Sequence, residues 1–244
     1  MTRGFPSSSW VGCNEKRGAG MCFSATASFT AAAVAGSIGA VTLWKAAKLR
    51  EPAILPIAAF PALFALQQTV EGLLWLELVR PVPGACTPFL THAFTAYAEV
   101  FWPLFAPLAA WLIEPVAWRR RLIGVCVLVG AAVSTYLLWK MLGNPYTASA
   151  ATGHIVYKNS ATYPEGIQIP YVLATTISLL LSSHRMIQLL AVVILGGFAV
   201  AWWSYHQSYI SVWCFFAAIS SIIVYLFVHR ATQATQGTQQ ARAS

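Results

Sequence analysis

The sequence predicts an all-α integral membrane bundle of seven transmembrane helices, N-terminus outside and C-terminus in the cytoplasm, with six spans as the alternative. Three observations carry this. Of 244 residues, 58% are hydrophobic and only 9% charged, against roughly 25% charged in soluble domains. Mean hydropathy is +0.64, and the apolar residues gather in runs of about 20, the length needed to cross a bilayer. The net charge of +8 sits in short clusters between those runs, where it sets topology rather than marking a nucleic-acid partner.

Residues 1–20 are polar, rich in Gly and Ser, and lack the apolar core of a cleavable signal peptide. They read as a disordered leader upstream of a natural start at Met21. The first span covers about Ser24 to Trp44 and ends at Lys45, Lys48 and Arg50; its Gly36 and Gly39 suit close helix approach. The second, about Ala53 to Val79, is entered through Pro52 and Pro56 and carries Gln67, Gln68 and Glu71 in its later half. The third, about Phe89 to Ile113, holds His92, Glu99, Pro103 and Pro107 and is followed by Arg119, Arg120 and Arg121.

The fourth span runs from about Leu122 to Leu142, with Lys140 placed to snorkel beside Trp139. About two dozen polar residues, Gly143 to Gly166, then form a solvated loop. A short fifth span, Ile167 to Ser183, starts near Pro170. The sixth and seventh, about Met186 to Tyr205 and Tyr209 to Val228, meet at a tight turn near His206. The transmembrane domain thus covers 21–230, and residues 231–244 read as a flexible cytoplasmic tail.

On one side of this topology lie nine cations, Lys45, Lys48, Arg50, Arg119, Arg120, Arg121, Arg185, Arg230 and Arg242; on the other lie six, three of them in the leader. The positive-inside rule therefore places the N-terminus out, in a cell (inner) membrane. Losing the short fifth span gives the six-helix alternative and upsets that orientation.

At about 1.5 Å rise per residue, the unusual polar groups fall in the outer half. Gln67, Gln68 and Trp75 share a helical face with Glu71. His92 and Glu99 are two turns apart on one face, and Trp202 and Trp203 flank His206. Ionisable groups in a span normally face the bundle interior and mark function. Glu71, Glu99, Gln67, Gln68, Cys22, Ser24, Trp75, Trp202 and Trp203 are accordingly candidates for a ligand-binding or proton-relay pocket. Glu71, His92, Glu99 and His206 form a candidate metal set, since Glu and neutral His suit a transition metal such as zinc, although no H-E-x-x-H or paired E-x-x-H spacing occurs. A plainer reading has Glu71 hydrogen-bonded within the bundle and the two histidines at the wet interface.

The five cysteines make no zinc spacing. Cys22 is a disulfide partner for Cys86, a reactive thiol or a plain reduced cysteine; Cys126 and Cys214 read as packing residues.

The stretch Met-Cys-Phe-Ser-Ala-Thr-Ala-Ser-Phe from Met21 to Phe29, with Leu-Gln-Gln-Thr-Val-Glu-Gly-Leu-Leu-Trp from Leu66 to Trp75, resembles an uncharacterised family of bacterial multi-pass membrane proteins. The resemblance runs from Met21 to about Arg230. It implies membrane location and directs attention to Cys22, Ser24, Gln68, Glu71 and Trp75, and it brings no activity with it.

Beyond the lipid bilayer itself as partner, three functional classes fit. The first is a sensor, receptor or conduit that binds a small molecule or ion in the outer pocket. The second is a metal-dependent membrane enzyme acting on a lipid or similar amphiphile. The third is a structural subunit of a membrane complex.

Overall fold

A computed structural model describes residues 24–49, 51–80, 82, 84–151, 154–161, 166–204 and 208–243. The expected leader, Cys22, the Cys22–Cys86 pairing and His206 lie outside them. Seven helices follow in chain order: α1 Ala25–Lys48, α2 Pro52–Leu78, α3 Thr87–Ile113, α4 Ala117–Gly143, α5 Gln168–Leu180, α6 Arg185–Ser204 and α7 Tyr209–Gly237. Six are long and apolar enough to cross a membrane, and α5 is shorter. Side chains such as Val34, Val41, Val125, Leu128, Val192 and Val193 are exposed on α1, α4 and α6. An apolar exterior of this kind is matched by lipid, not by water, and the protein is a multi-pass helical membrane protein.

Local chemistry sets the helix ends. Ser24 caps α1, its side chain accepting from the Ala27 N–H at 3.3 Å, and Lys45 and Lys48 occupy the last turn, where cations favour the helix dipole. The entry to α2 is broken into a 3₁₀ turn at Pro52–Ile54 and a single turn at Leu55–Ala58 before the main run from Phe60, because Pro56 and Pro61 supply no N–H to the turn behind them. Helix α1 packs along α2 through small residues: a Cβ on Gly39 would stand 2.6 Å from the Ala62 backbone nitrogen.

The core divides into two levels. Toward the end carrying Lys45 and Lys48, here the basic end, Phe60, Phe64, Trp102, Ile187, Leu190 and Val224 form one buried cluster, with Phe64 stacked on Trp102 at 4.3 Å. At the opposite end Leu74, Trp75, Leu90, Ala201 and Val212 form a second cluster, to which Ile155 belongs.

Ile155 comes from an element that the reading of 143–166 as a solvated loop does not anticipate. Tyr146–Ala151 (β1) and His154–Asn159 (β2) pair as an antiparallel hairpin with Tyr146 opposite Asn159, Ala148 opposite Tyr157 and Ala150 opposite Ile155. Alternation along the strands turns Tyr146, Ile155 and Tyr157 to the bundle, while Thr147, Ser149 and Lys158 are exposed. This end is the hairpin end. At the other terminus, helix continues to Ala243 where the composition suggests a flexible tail. Ala, Gln and Arg are good helix formers, no proline interrupts them, and adding turns to an existing helix avoids nucleation.

Candidate functional site

Helix α3 is distorted at its centre, and the distortion presents Glu99. Pro103 has no N–H to donate, and over Ala96–Phe101 the chain widens to a π-helical turn in which the Trp102 N–H reaches back to the Tyr97 carbonyl. The next carbonyl, Ala98, would look to residue 103, and a proline cannot answer. The Tyr171 hydroxyl of α5 donates to it instead. Two residues on, the Ser134 hydroxyl of α4 donates to the Val100 carbonyl at 2.7 Å. Neighbouring helices thus satisfy backbone that lipid cannot. Such π turns recur at functional sites, and here the turn carries a carboxylate.

The hairpin closes over this carboxylate. The Tyr146 hydroxyl donates to Glu99 Oε2 at 2.5 Å. His92 holds the start of β1: its Nδ1 contacts the Pro88 carbonyl at 2.7 Å and its Nε2 accepts from the Tyr146 N–H at 3.4 Å, which requires the proton on Nδ1. Tyr157, from β2, stacks on Phe94 at 4.8 Å with rings 6° from parallel. Burial holds the Tyr157 phenol well above the usual range, and the neighbouring Glu71 and Cys214 act in the same direction.

Three side chains form a second polar line deeper in the bundle. The Trp102 indole donates to Gln67 Oε1 at 2.8 Å, and Gln67 Nε2 donates to Cys214 Sγ at 3.1 Å. These bonds fix which way the amide points. Cys214 also lines the cleft that Glu99 borders, so it links Gln67 of α2 to that cleft. Glu71, Gln67 and Gln68 are buried at 2%, 0% and 0% exposure, and Ser211 of α7 flanks the Glu71 carboxyl. Glu71 Oε1, both polar atoms of Gln68, the Trp75 indole nitrogen and the Tyr157 hydroxyl make no hydrogen bond to another described protein atom.

Beside this network a cleft with about 640 Å³ of empty space opens between α3, α5, α6 and α7. Its polar lining is Glu99, Gln168, Tyr171, Tyr209 and Cys214, set among Ile167, Val172, Phe198, Ile210 and Trp213. Tyr171, Trp213 and Cys214 also border a second, more apolar chamber of about 430 Å³, which extends past Phe64 and Trp102 to Phe60 and Leu179. Glu99 thus borders the first, and Phe60 and Leu179 of the apolar core border the second.

Of the residues singled out from sequence, Gln67, Gln68, Glu71 and Trp75 are buried on α2, Glu99 lines the cleft, and Ser24 serves as a helix cap. Trp202 packs on Phe198 and Tyr209 with ring centroids at 5.9 and 5.2 Å. Trp203 is 90% exposed: neighbours on a helix point about 100° apart, so the pair does not share a pocket. The metal set fares differently. Both ring nitrogens of His92 are engaged by backbone groups, and among the described residues no three His, Cys, Asp or Glu side chains gather into a group that could hold a metal ion. His206, the fourth member of that set, lies outside the described residues.

Sequence reasoning missed Tyr146, Tyr157, Tyr171 and the linking role of Cys214. A signal for the first two was present, since Tyr-Thr-Ala-Ser-Ala-Ala and His-Ile-Val-Tyr-Lys are two short runs separated by Thr-Gly. No curated protein and no solved structure matches the chain. A model of a family of unknown function, DUF6629, matches residues 21–239, and the chain belongs to that family.

Proposed function

We propose that this membrane protein binds a small amphiphilic molecule in the cleft between α3, α5, α6 and α7, with its polar end at Glu99 and its apolar end directed toward Phe64 and Trp102. One observation carries the reading: a carboxylate borders a cleft that shares Tyr171, Trp213 and Cys214 with a neighbouring apolar chamber. The lining has the character of small-molecule sites, which pair apolar walls with a few placed polar groups. A carboxylate already holding the Tyr146 hydroxyl has acceptor capacity left, so the favoured ligand donates hydrogen bonds from its head. Its placement suits a receptor, sensor or conduit, with Tyr146 of the hairpin bonded to the Glu99 carboxylate.

A photoactivatable long-chain alkylamine is a suitable probe. Crosslinks are expected on α3, α5 and α7, and Glu99→Gln is expected to reduce them by about tenfold, the loss of one charge-assisted hydrogen bond in a low-dielectric site. Labelling spread over the lipid-facing residues of α1 and α4, unchanged by Glu99→Gln, rejects the site.

The reading also orients the protein. We take α5 as a seventh, short crossing, since it starts beside Glu99 and ends where Arg119 donates to the Leu181 and Ser182 carbonyls, both at 3.0 Å. The cation asymmetry then puts the hairpin end outside a cell membrane and the basic end in the cytoplasm. In a background with Cys13, Cys22 and Cys86 replaced by Ser, an impermeant maleimide added to cells is expected to label Lys158→Cys and not Arg121→Cys. The reverse pattern refutes the orientation.

A further inference from the structure

At the basic end, far from the cleft, α2, α3, α4, α6 and α7 surround an open basin of about 1330 Å³. Three guanidinium groups border it from three different helices: Arg120 on α4, Arg185 on α6 and Arg230 on α7. Among the described residues none has a carboxylate partner. The ion pair among the described residues is Arg80 with Glu77, at the other end of the molecule. Arg120 lies over the Trp111 ring at 4.3 Å, which leaves its N–H edge free to bond outward. Arg230 finds only a thioether, Met186 Sδ at 3.4 Å. Of the two acids at the rim, Glu114 is committed to the backbone N–H groups of Val116 and Ser183, leaving Glu51.

The backbone adds positive potential. Both α4 and α6 begin at this end, and neither has an acidic residue in its first turn. Arginine sits there instead, although the positive end of a helix dipole repels a cation. The carboxylate placed between these two turns, Glu114, is already bonded to the Val116 and Ser183 N–H groups, so the three guanidinium groups remain as a local excess of positive charge that an anion relieves. The basin also has an apolar floor of Ile54, Leu112, Ile113 and Phe227, continuous with the apolar ends of the helices. Free phosphate makes no use of such a floor. A phosphodiester with acyl chains does.

We infer that the basin is a binding site for an anionic phospholipid, its phosphate held by Arg120, Arg185 and Arg230 and its acyl chains leaving along the apolar floor. Basic pockets between helices at the cytoplasmic face are suited to such headgroups.

The test uses the full-length protein in mild detergent, with phosphatidylglycerol and phosphatidylcholine of identical chains supplied in equal amounts, and native mass spectrometry to count lipid adducts. Phosphatidylglycerol adducts are expected to dominate by about tenfold or more, and to survive excess inorganic phosphate. The variant Arg120→Gln/Arg185→Gln/Arg230→Gln should lose the preference, while Arg121→Gln, outside the basin, should keep it. Should the triple variant not fold, the single change Arg230→Gln, at an exposed position, should reduce the preference severalfold. Equal adducts of the two lipids on the unmodified protein overturn the proposal, as does displacement of the lipid by inorganic phosphate.

Discussion

Glu114→Ala is expected to destabilise the bundle by about 2–4 kcal/mol, because hydrogen bonds to a charged group contribute roughly 1.5–3 kcal/mol each and their loss strands the donors. Glu114 follows α3 directly. Its Oε1 accepts from the Val116 N–H at 3.1 Å and its Oε2 from the Ser183 N–H at 2.7 Å. One carboxylate thus joins the α3–α4 turn to the α5–α6 turn, next to the Arg119 bonds that hold the end of α5. Glu114→Gln should recover part of the loss, since an amide oxygen still accepts one of the two bonds.

The same contacts predict a pH dependence. Burial acts to raise the Glu114 pKa, but the Ser183 and Val116 backbone N–H groups, with the Ser183 and Ser182 side chains, outweigh it and hold the carboxyl below its ordinary value. A group depressed in the folded state contributes stability that is fully present above its unfolded pKa, about 4.3 for Glu, and is lost as pH falls through the folded value. Stability attributable to Glu114 is therefore flat from neutral pH to about pH 5 and declines in more acidic solution. Denaturant unfolding of the wild-type protein and of Glu114→Gln should converge as pH drops below about 4. A difference that stays constant across that range would falsify the assignment.

How much of this could be read beforehand differs by feature, for physical reasons. Apolar runs of bilayer length and cation clusters are properties of composition along the chain, so the helices and their order were legible. The burial of Gln67, Gln68 and Glu71 was legible too, because a carboxylate with two amides on one apolar helix has nowhere favourable to go except inward. The bulge that presents Glu99 was not. It depends on which carbonyl Pro103 leaves unpaired and on the chance that Tyr171 and Ser134 from other helices answer it, and neither fact is local. Cys214 reads as a small apolar residue until Gln67 is placed beside it. His92 reads as a ligand because its two nitrogens are versatile, and their actual partners are a carbonyl one turn away and the backbone of a hairpin 54 positions distant in sequence.

The hairpin shows the same limit in another form. Thr, Ala and Ser in β1 give a weak alternation, and the strand is fixed by what its tyrosine meets rather than by its own propensity. Tyr146 finds Glu99, and Tyr157 finds Phe94 and the Glu71 neighbourhood. Local sequence thus supplied the two runs, and tertiary contact decided that they pair over the bundle.

Gly130→Ala is expected to destabilise the protein by about 2–3 kcal/mol, at the upper part of the range for overpacking a close contact. A Cβ at position 130 would stand 1.8 Å from the Pro103 carbonyl oxygen and 3.3 Å from Pro107 Cγ. The obstacle is backbone, so no rotamer change relieves it. Pro107, four residues beyond Pro103, has no N–H to engage that carbonyl, and α3 offers its weakest hydrogen bonding where α4 comes closest. Moving α4 away would also draw Ser134, one turn along the same helix, from the Val100 carbonyl, loosening the turn that carries Glu99. The variant should therefore lose both stability and Glu99-dependent probe labelling. Gly196→Ala supplies the contrast, because a Cβ there meets nothing within 4 Å, and alanine in an open helical position is expected to be neutral or to add up to about 1 kcal/mol. Unfolding midpoints in detergent decide between them: if Gly130→Ala and Gly196→Ala shift stability alike, the contact between Gly130 and the Pro103 carbonyl does not position α4.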